Sequence, residues 1–289
     1  MSVSSRDVLL GLLVMLGWAG NTVVIKFITL EVEPFTGLAL RFVIAALVFL
    51  PFLRMVGRAQ FWVLLQICVC MAVLHWGSLI WAIDRLDASM AAILMQMQVI
   101  FAALIGRFFF GENFGWRTGA GIMLGIAGVA VLVGLPEETP SMSGVLGMVF
   151  SMFTIVIAYA RMKAIAGVSS VNYMAHLYAI GIVPVIVMAF MFEAPLAFDW
   201  GAVDWRVLGR ALLYQVFLVS GVHMLWQRLM GRNAMSGLPN LTLLLPVMGV
   251  AMAVVFLGER VSMPMVFGGV LTMIGVGIVL WRKRVRAVQ

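Results

Sequence analysis

Charge is what this chain has least of. Asp, Glu, Lys and Arg make up 11% of its 289 residues, while 64% are hydrophobic and the mean hydropathy is +1.11. Ordinary soluble domains are about 25% charged and about 45–50% apolar. A water-soluble fold has nowhere to bury this much apolar surface, so the solvent for most of the chain is lipid. Acids are scarcer than bases, 12 against 19, for a net charge of +7. In a soluble protein that excess would suggest nucleic acid. Here the bases stand in short connections between apolar runs, where they orient helices against a membrane, and no nucleic-acid partner is expected. Cysteine is nearly absent. Cys68 and Cys70 stand two apart in one apolar run, so a helix points them to different faces, which argues against a disulfide or a metal cluster.

Breaks at charges, prolines and glycine clusters leave ten apolar runs: residues 7–28, 34–53, 61–83, 88–110, 115–134, 142–163, 171–192, 206–229, 236–257 and 262–281. Each is close to the ~20 residues that cross a bilayer as a helix. The spacing predicts an all-α integral membrane protein of ten transmembrane helices. Span 1 follows Arg6 as a signal peptide's apolar stretch follows its basic residues, but no A-x-A-type site comes after it, so it reads as a retained helix. The longest connection, 193–205, holds a proline, two tryptophans and three acids, and reads as an interfacial loop. Thirteen Lys and Arg fall on one side of the spans and five on the other, with Arg41 inside span 2. That asymmetry predicts both termini in the cytoplasm.

A shift of 147 residues lays part of the sequence on itself. Gly111-Glu112 meets Gly258-Glu259, Arg85 meets Arg232, Ser89 meets Ser236, and Leu94 meets Leu241. Gly121 meets Gly268 and Gly128 meets Gly275, so spans 4 and 5 repeat as spans 9 and 10. Spans 1 and 2 match 6 and 7 far less clearly. With five spans per half, residues 1–136 and 141–289 are expected to be two repeats of opposite orientation around a central cavity. Inverted repeats mark many secondary transporters, though channels and some membrane enzymes are duplicated too.

Ten spans in this order, the Gly-Glu after spans 4 and 9 and the glycine-studded spans 5 and 10 resemble the EamA-type branch of the drug/metabolite transporter superfamily. So does the early stretch Gly17–Asn21, with Lys26, Pro34 and Arg41 after it. Within that superfamily the chain looks most like exporters of aromatic amino acids and related metabolites. The likeness covers nearly the whole chain. It implies alternating-access export across the inner (cytoplasmic) membrane. One departure stands out: span 9 carries Pro246 where span 4 has Val99, which leaves open whether span 4 bends as well.

All twelve acids lie at span ends or in connections, so a proton or sodium relay built on an intramembrane carboxylate has no candidate. Only a histidine could titrate near neutrality within the membrane. His75, His176 and His223 lack i,i+4 spacing and Cys or Asp companions, so no metal is expected, and no cofactor. His75 is read with Trp76 and Ser78 as a cavity face, and His176 as structural or interfacial. Gln96 and Gln98 point roughly 200° apart on a helix, so one site cannot use both. The face of Ser89 and Gln96 matches that of Ser236 and Asn240 under the repeat, which favours Gln96 and Asn240 over Gln98; an interhelical hydrogen bond is the competing role. Trp18 and Asn21 share a face of span 1, and Tyr159 and Tyr214 are further candidates. Arg41 either pairs with carbonyls or attracts a substrate carboxylate.

Glu112 and Glu259 read as caps of the helices that follow them, and with Pro246 as hinge positions. The glycines of spans 5 and 10 read as close packing or as a homodimer contact. A cavity of Trp, Tyr, Met, Gln, Asn and His suits a neutral or zwitterionic small molecule, with an aromatic ring stacked on tryptophan. A membrane-embedded enzyme would need a nucleophile–base pair, for which His75 and Ser78 are the only candidates, without an orienting acid. A passive channel or a broader drug efflux protein would also be compatible with ten spans.

Overall fold

The computed structural model describes residues 4–111, 115–134, 140–165, 167–232 and 238–286, with backbone alone at Phe110, Lys163, 230–232, 238–240 and 281–286. Ten apolar helical elements follow one another. They are α1 Ser5–Glu31, α2 Pro34–Phe49, α3 Arg58–Arg85, α4 as Ala88–Leu94 and Met97–Phe110, and α5 Trp116–Gly134. Then come α6 Met142–Met162, α7 Ser170–Phe192, α8 as Trp205–Leu213, Tyr214–Val219 and Ser220–Arg232, α9 as Leu238–Leu243 and Leu244–Leu257, and α10 Met263–Arg286. Among the described residues nine helices are long and apolar enough to cross a membrane, and Leu241–Leu257 is a shorter tenth. No strand occurs among them.

Local chemistry sets the ends. Ser4 accepts from the Asp7 N–H (3.1 Å), Ser169 from Asn172 (3.3 Å) and Asp204 from Arg206 and Val207 (2.8 and 3.3 Å), each capping the helix that follows. Pro34 occupies the first turn of α2, where its missing N–H leaves nothing unmet. α4 and α9 both end at a glycine in the left-handed region, Gly111 at φ +66° and Gly258 at φ +69°. Nothing lies within 4 Å of the position a Cβ would take at either, so backbone conformation rather than crowding calls for glycine there.

The glutamate after Gly258 does not cap the next helix. Its carboxylate accepts from the N–H of Ala88 (2.7 Å), the N–H of Ser89 (2.9 Å) and the Ser89 hydroxyl (2.5 Å), at the start of α4. α10 is served locally by Ser262, which accepts from Met265 N–H at 3.3 Å. A negative charge suits either N-terminus, but α4 begins at Asp87, whose side chain makes no cap hydrogen bond. Glu193 does the same for α2: it accepts from the N–H of Phe35 and from the N–H and hydroxyl of Thr36, each at 2.7 Å. Lys26 supplies the opposite charge to the C-terminal end of α3, donating to the carbonyls of Ile83, Asp84 and Leu86 at 3.0–3.1 Å. These charged clamps gather at one end of the bundle. Glu112 lies outside the described residues.

The glycines of α5 and α10 face each other within the chain. A Cβ on Gly121 would stand 2.8 Å from the Gly275 carbonyl, and one on Gly128 would stand 2.7 Å from the Gly268 carbonyl. Thr272 lies against Gly128 and satisfies its hydroxyl within α10 by donating to Gly268 O at 2.8 Å. Of the two roles expected of these glycines, close packing within the chain is the one that Gly121, Gly128, Gly268 and Gly275 fill. The reason is geometric: bare backbone on both helices lets them approach more closely than side chains allow.

Irregular turns interrupt four helices. α3 carries a π turn at Cys70–His75 and α8 one at Tyr214–Val219. α4 breaks at Met95 and Gln96, and α9 passes from 3₁₀ to α at Leu243 and Leu244. The α4 break occurs with Val99 in place, through i→i−3 bonds from Gln96 to Ile93 (3.0 Å), Gln98 to Met95 (3.2 Å) and Val99 to Gln96 (3.0 Å). In α9, Pro246 has no N–H to give the carbonyl four residues back, that of Thr242. The Gln96 amide donates to that carbonyl instead, at 3.3 Å.

Candidate functional site

The irregular helices surround a cavity of about 90 Å³. α1 contributes Trp18, Ala19, Asn21 and Thr22; α3 contributes His75, Trp76 and Leu79; α4 contributes Ala92, Met95 and Gln98. Met152, Ile155 and Tyr159 come from α6, Val219 and His223 from α8, and Leu245 from α9. No Asp or Glu is among the lining residues. Tyr159 is 40% exposed and sits near the end of α6, so it marks the edge of the lining away from the charged clamps.

A π turn widens the helix by one residue and breaks the regular i→i−4 ladder. In α3 the unused capacity is taken from α6. The Ser151 hydroxyl donates to the His75 carbonyl (3.0 Å) and stands 2.7 Å from His75 Nδ1. One hydroxyl proton cannot serve both, and the Ser151 carbonyl, 3.2 Å from Nδ1, can only accept, which assigns the proton to Nδ1. In α8, His223 Nδ1 lies 2.8 Å from the Val219 carbonyl and must donate to it. Trp18 Nε1, 3.3 Å from the same nitrogen, then faces a proton already in place, and the pair meets edge to face with centroids 5.2 Å apart. Among the described residues no three His, Cys, Asp or Glu side chains gather as a metal site would require.

Of the expected residues, Trp18, Asn21, His75, Trp76 and Tyr159 come together on the cavity wall. Ser78 does not: its hydroxyl turns back on its own helix and donates to the Leu74 carbonyl, with the His75 carbonyl 3.2 Å away. Tyr214 donates to the Gly17 carbonyl at 2.8 Å and fills the space that Gly20 leaves open, so it ties α8 to α1. Gln96 is fully buried against α9, and Gln98 takes the place on the wall that the spacing argument gave to Gln96. Spacing fixes direction only along a regular helix, and the break at Met95 and Gln96 rotates the face beyond it. The side chain of Asn240 lies outside the described residues; its backbone belongs to the 3₁₀ turn Leu238–Leu243. His176 donates from Nδ1 to the Asn172 carbonyl of its own helix (2.9 Å) and is buried. Sequence reasoning missed His223, Thr22, Met95 and Met152. His223 was visible as a histidine inside an apolar run, but the π turn that sets its direction leaves no mark in the residue pattern.

Comparison with known proteins agrees with this architecture. Residues 6–134 match the EamA-like transporter family. A protein of Escherichia coli (strain K12) named "Probable amino-acid metabolite efflux pump" is 29% identical, covering 98% of this chain and 99% of its own. A Salmonella typhimurium protein of the same name is also 29% identical, covering 98% of each chain. A solved crystal structure aligns over 98% of this chain and 99% of its own, with a TM-score of 0.66 at 18% identity, which shows the fold alone.

Proposed function

With an EamA-type transporter domain in residues 6–134, we propose that this multi-pass membrane protein exports amino acids and related small amphipathic metabolites across the inner membrane. The observation that carries the substrate class is the wall of the cavity: two tryptophans, two methionines, a tyrosine and neutral amides and imidazoles, without a carboxylate. Such a wall accepts a neutral or zwitterionic solute and stacks an aromatic side chain on Trp18 or Trp76. A dication would find no buried anion there. The names of the Escherichia coli and Salmonella typhimurium relatives support the same class.

Alternating access is the mechanism this reading favours. The two glycine contacts between α5 and α10 exchange into each other under the 147-residue shift, as contacts across a two-fold axis do: Gly121 with Gly275 becomes Gly268 with Gly128. α4 and α9 are each broken near the cavity, as substrate-site helices of inverted-repeat transporters are. The clamps of Glu193, Glu259 and Lys26 hold one end of the bundle, while Tyr159 opens toward the other. At about 90 Å³ the cavity has to widen around a solute, and hinging at the breaks supplies that movement.

The test is solute flux into proteoliposomes holding the pure protein. Labelled phenylalanine, tryptophan and leucine are expected to enter saturably, with trans-stimulation. Gln98→Ala is expected to lower the rate at least about tenfold, the loss of roughly 1.4 kcal/mol of binding, with folded protein still recovered. Non-saturating flux would make the chain a channel, and absence of amino-acid flux would remove the substrate class.

A further inference from the structure

A second, smaller cavity lies behind the wall of the first. It holds about 10 Å³ and is lined by Ile25, Ile28, Gly37, Leu38, Arg41, Trp76, Leu79, Ile80 and Gln215. Trp76 and Leu79 belong to both cavities and form the partition between them. Arg41 is 4% exposed, and its Nε and Nη2 have no hydrogen-bond partner. Its guanidinium carbon stands 3.9 Å from the centre of the Trp76 ring. Among the described residues it forms no ion pair.

A guanidinium with unused donors inside an apolar bundle is unfavourable, and the stacking on Trp76 offsets only part of that, about 2 kcal/mol or somewhat more when desolvated. A water fits about 10 Å³ but brings no negative charge. The group that would satisfy Arg41 is an anion, and none of the chain's carboxylates stands inside a span. Gln215 supplies the link to the main cavity. It is fully buried in the π turn of α8, its amide donates to Asn21 Oδ1 at 2.6 Å, and its own Oε1 is unpartnered. Asn21 is on the main cavity wall. Arg41 and Gln215 thus share the small cavity, and Gln215 is bonded to a residue of the main cavity wall.

We propose that the Arg41 guanidinium is the subsite that takes the carboxylate of the exported solute, and that Trp76 covers it when the site is empty. This rests on the exporter reading and sharpens it: the solute carries a carboxylate, presented toward α2, with its remaining part among Trp18, Met95 and Met152. The subsite is too small for a carboxylate while the indole lies on the guanidinium. Binding therefore moves Trp76 off Arg41, and the planar fork of the arginine meets the two oxygens.

The test uses the full-length protein in detergent and reads binding by intrinsic tryptophan fluorescence. The probes are phenylalanine, phenylalaninamide, phenylacetate and phenylacetamide. Each acid is expected to bind at least about tenfold tighter than its amide, the size expected of hydrogen bonds to a charged group. Arg41→Gln is expected to erase that preference while leaving the amides unchanged, and Arg41→Lys to keep part of it. Thermal unfolding separates a structural role: removing an unpaired buried charge should leave the melting temperature equal or higher, whereas a structural arginine would lower it. Acid and amide binding equally, or no probe binding, overturns the subsite, and so does a preference that survives Arg41→Gln. The same probes in proteoliposomes distinguish the two readings. Arg41-dependent binding without flux sinks the exporter and keeps the subsite; flux indifferent to the carboxylate does the reverse.

Discussion

Two helix pairs in this molecule meet in opposite ways. α5 and α10 join backbone to backbone: Gly121, Gly128, Gly268 and Gly275 leave no room for a side chain, and Thr272 satisfies itself on Gly268. α4 and α9 also touch closely at one point, where a Cβ on Gly249 would stand 2.7 Å from that of Ala92. Beside that point, however, each helix is broken and a side-chain amide reaches a freed carbonyl. Dispersion contacts between matched surfaces have one good arrangement and hold it. A contact through a freed carbonyl can be remade by another donor. Under the alternating access proposed above, the first pair is the one to stay and the second the one to move.

The largest effect is expected where the first pair is disturbed. Gly275→Val puts two methyl groups onto the backbone of α5 at Gly121 and Gly125, and overpacking of well-packed cores costs about 1–3 kcal/mol or more. Loss of folded protein after solubilisation, judged by size-exclusion chromatography, is the expected result. Full recovery would mean that the α5–α10 contact is not the rigid half of the contrast.

A smaller effect is expected at the clamp on α4. Glu259→Ala removes the acceptor for Ala88 and Ser89, and loss of a helix cap costs about 0.5–2 kcal/mol. The melting temperature should fall by a few degrees, and hydrogen exchange should quicken at residues 88–90 while α5 and α10 stay protected. Uniform acceleration would show that α4 does not move independently.

The smallest effect sharpens the comparison at the clamp on α2. Burial raises the pKa of Glu193 above the ordinary glutamate range, against the opposing hydrogen bonds from Thr36 and Phe35 and with help from the nearby charge of Glu33. A raised folded-state pKa means stability that is complete below the unfolded value and lost as pH climbs through the folded one. Relative to Glu193→Gln, the wild type should therefore lose ground as pH rises from the ordinary glutamate range toward neutrality. Melting temperatures of both proteins across that interval check the sign; a gap that is flat or of opposite slope would mean that the hydrogen bonds outweigh burial.

Much of the architecture was legible in residue order. Ten apolar runs became ten apolar helical elements with ends shifted by a few residues, because lipid leaves a chain little choice but helix. The paired Gly-Glu stretches marked real helix ends, since the left-handed cap at Gly111 and Gly258 is a local requirement. What Glu259 bonds to was not legible, because its partners stand 170 and 171 residues away. The wall of the cavity was half legible. Trp18 and Asn21 sit on a regular stretch of helix, where spacing predicts direction. Gln96 and Ser78 lie beside a break and a π turn, where it does not. Arg41 left two roles open in the sequence, and its stacking on Trp76 is what the structure adds.

The long reach of these clamps has a consequence for synthesis. When Ala88 and Ser89 leave the ribosome, the glutamate that receives their N–H groups is still 171 and 170 residues from being made, and Glu193 trails Phe35 by 158. At about 5–20 residues per second, α4 spends roughly 10–30 s without its acceptor. The first helices are thus inserted with open N-termini, held meanwhile by water or headgroups at the membrane surface. The clamp on α4 can form only near the end of translation, once the last connection, which carries Glu259, has been made.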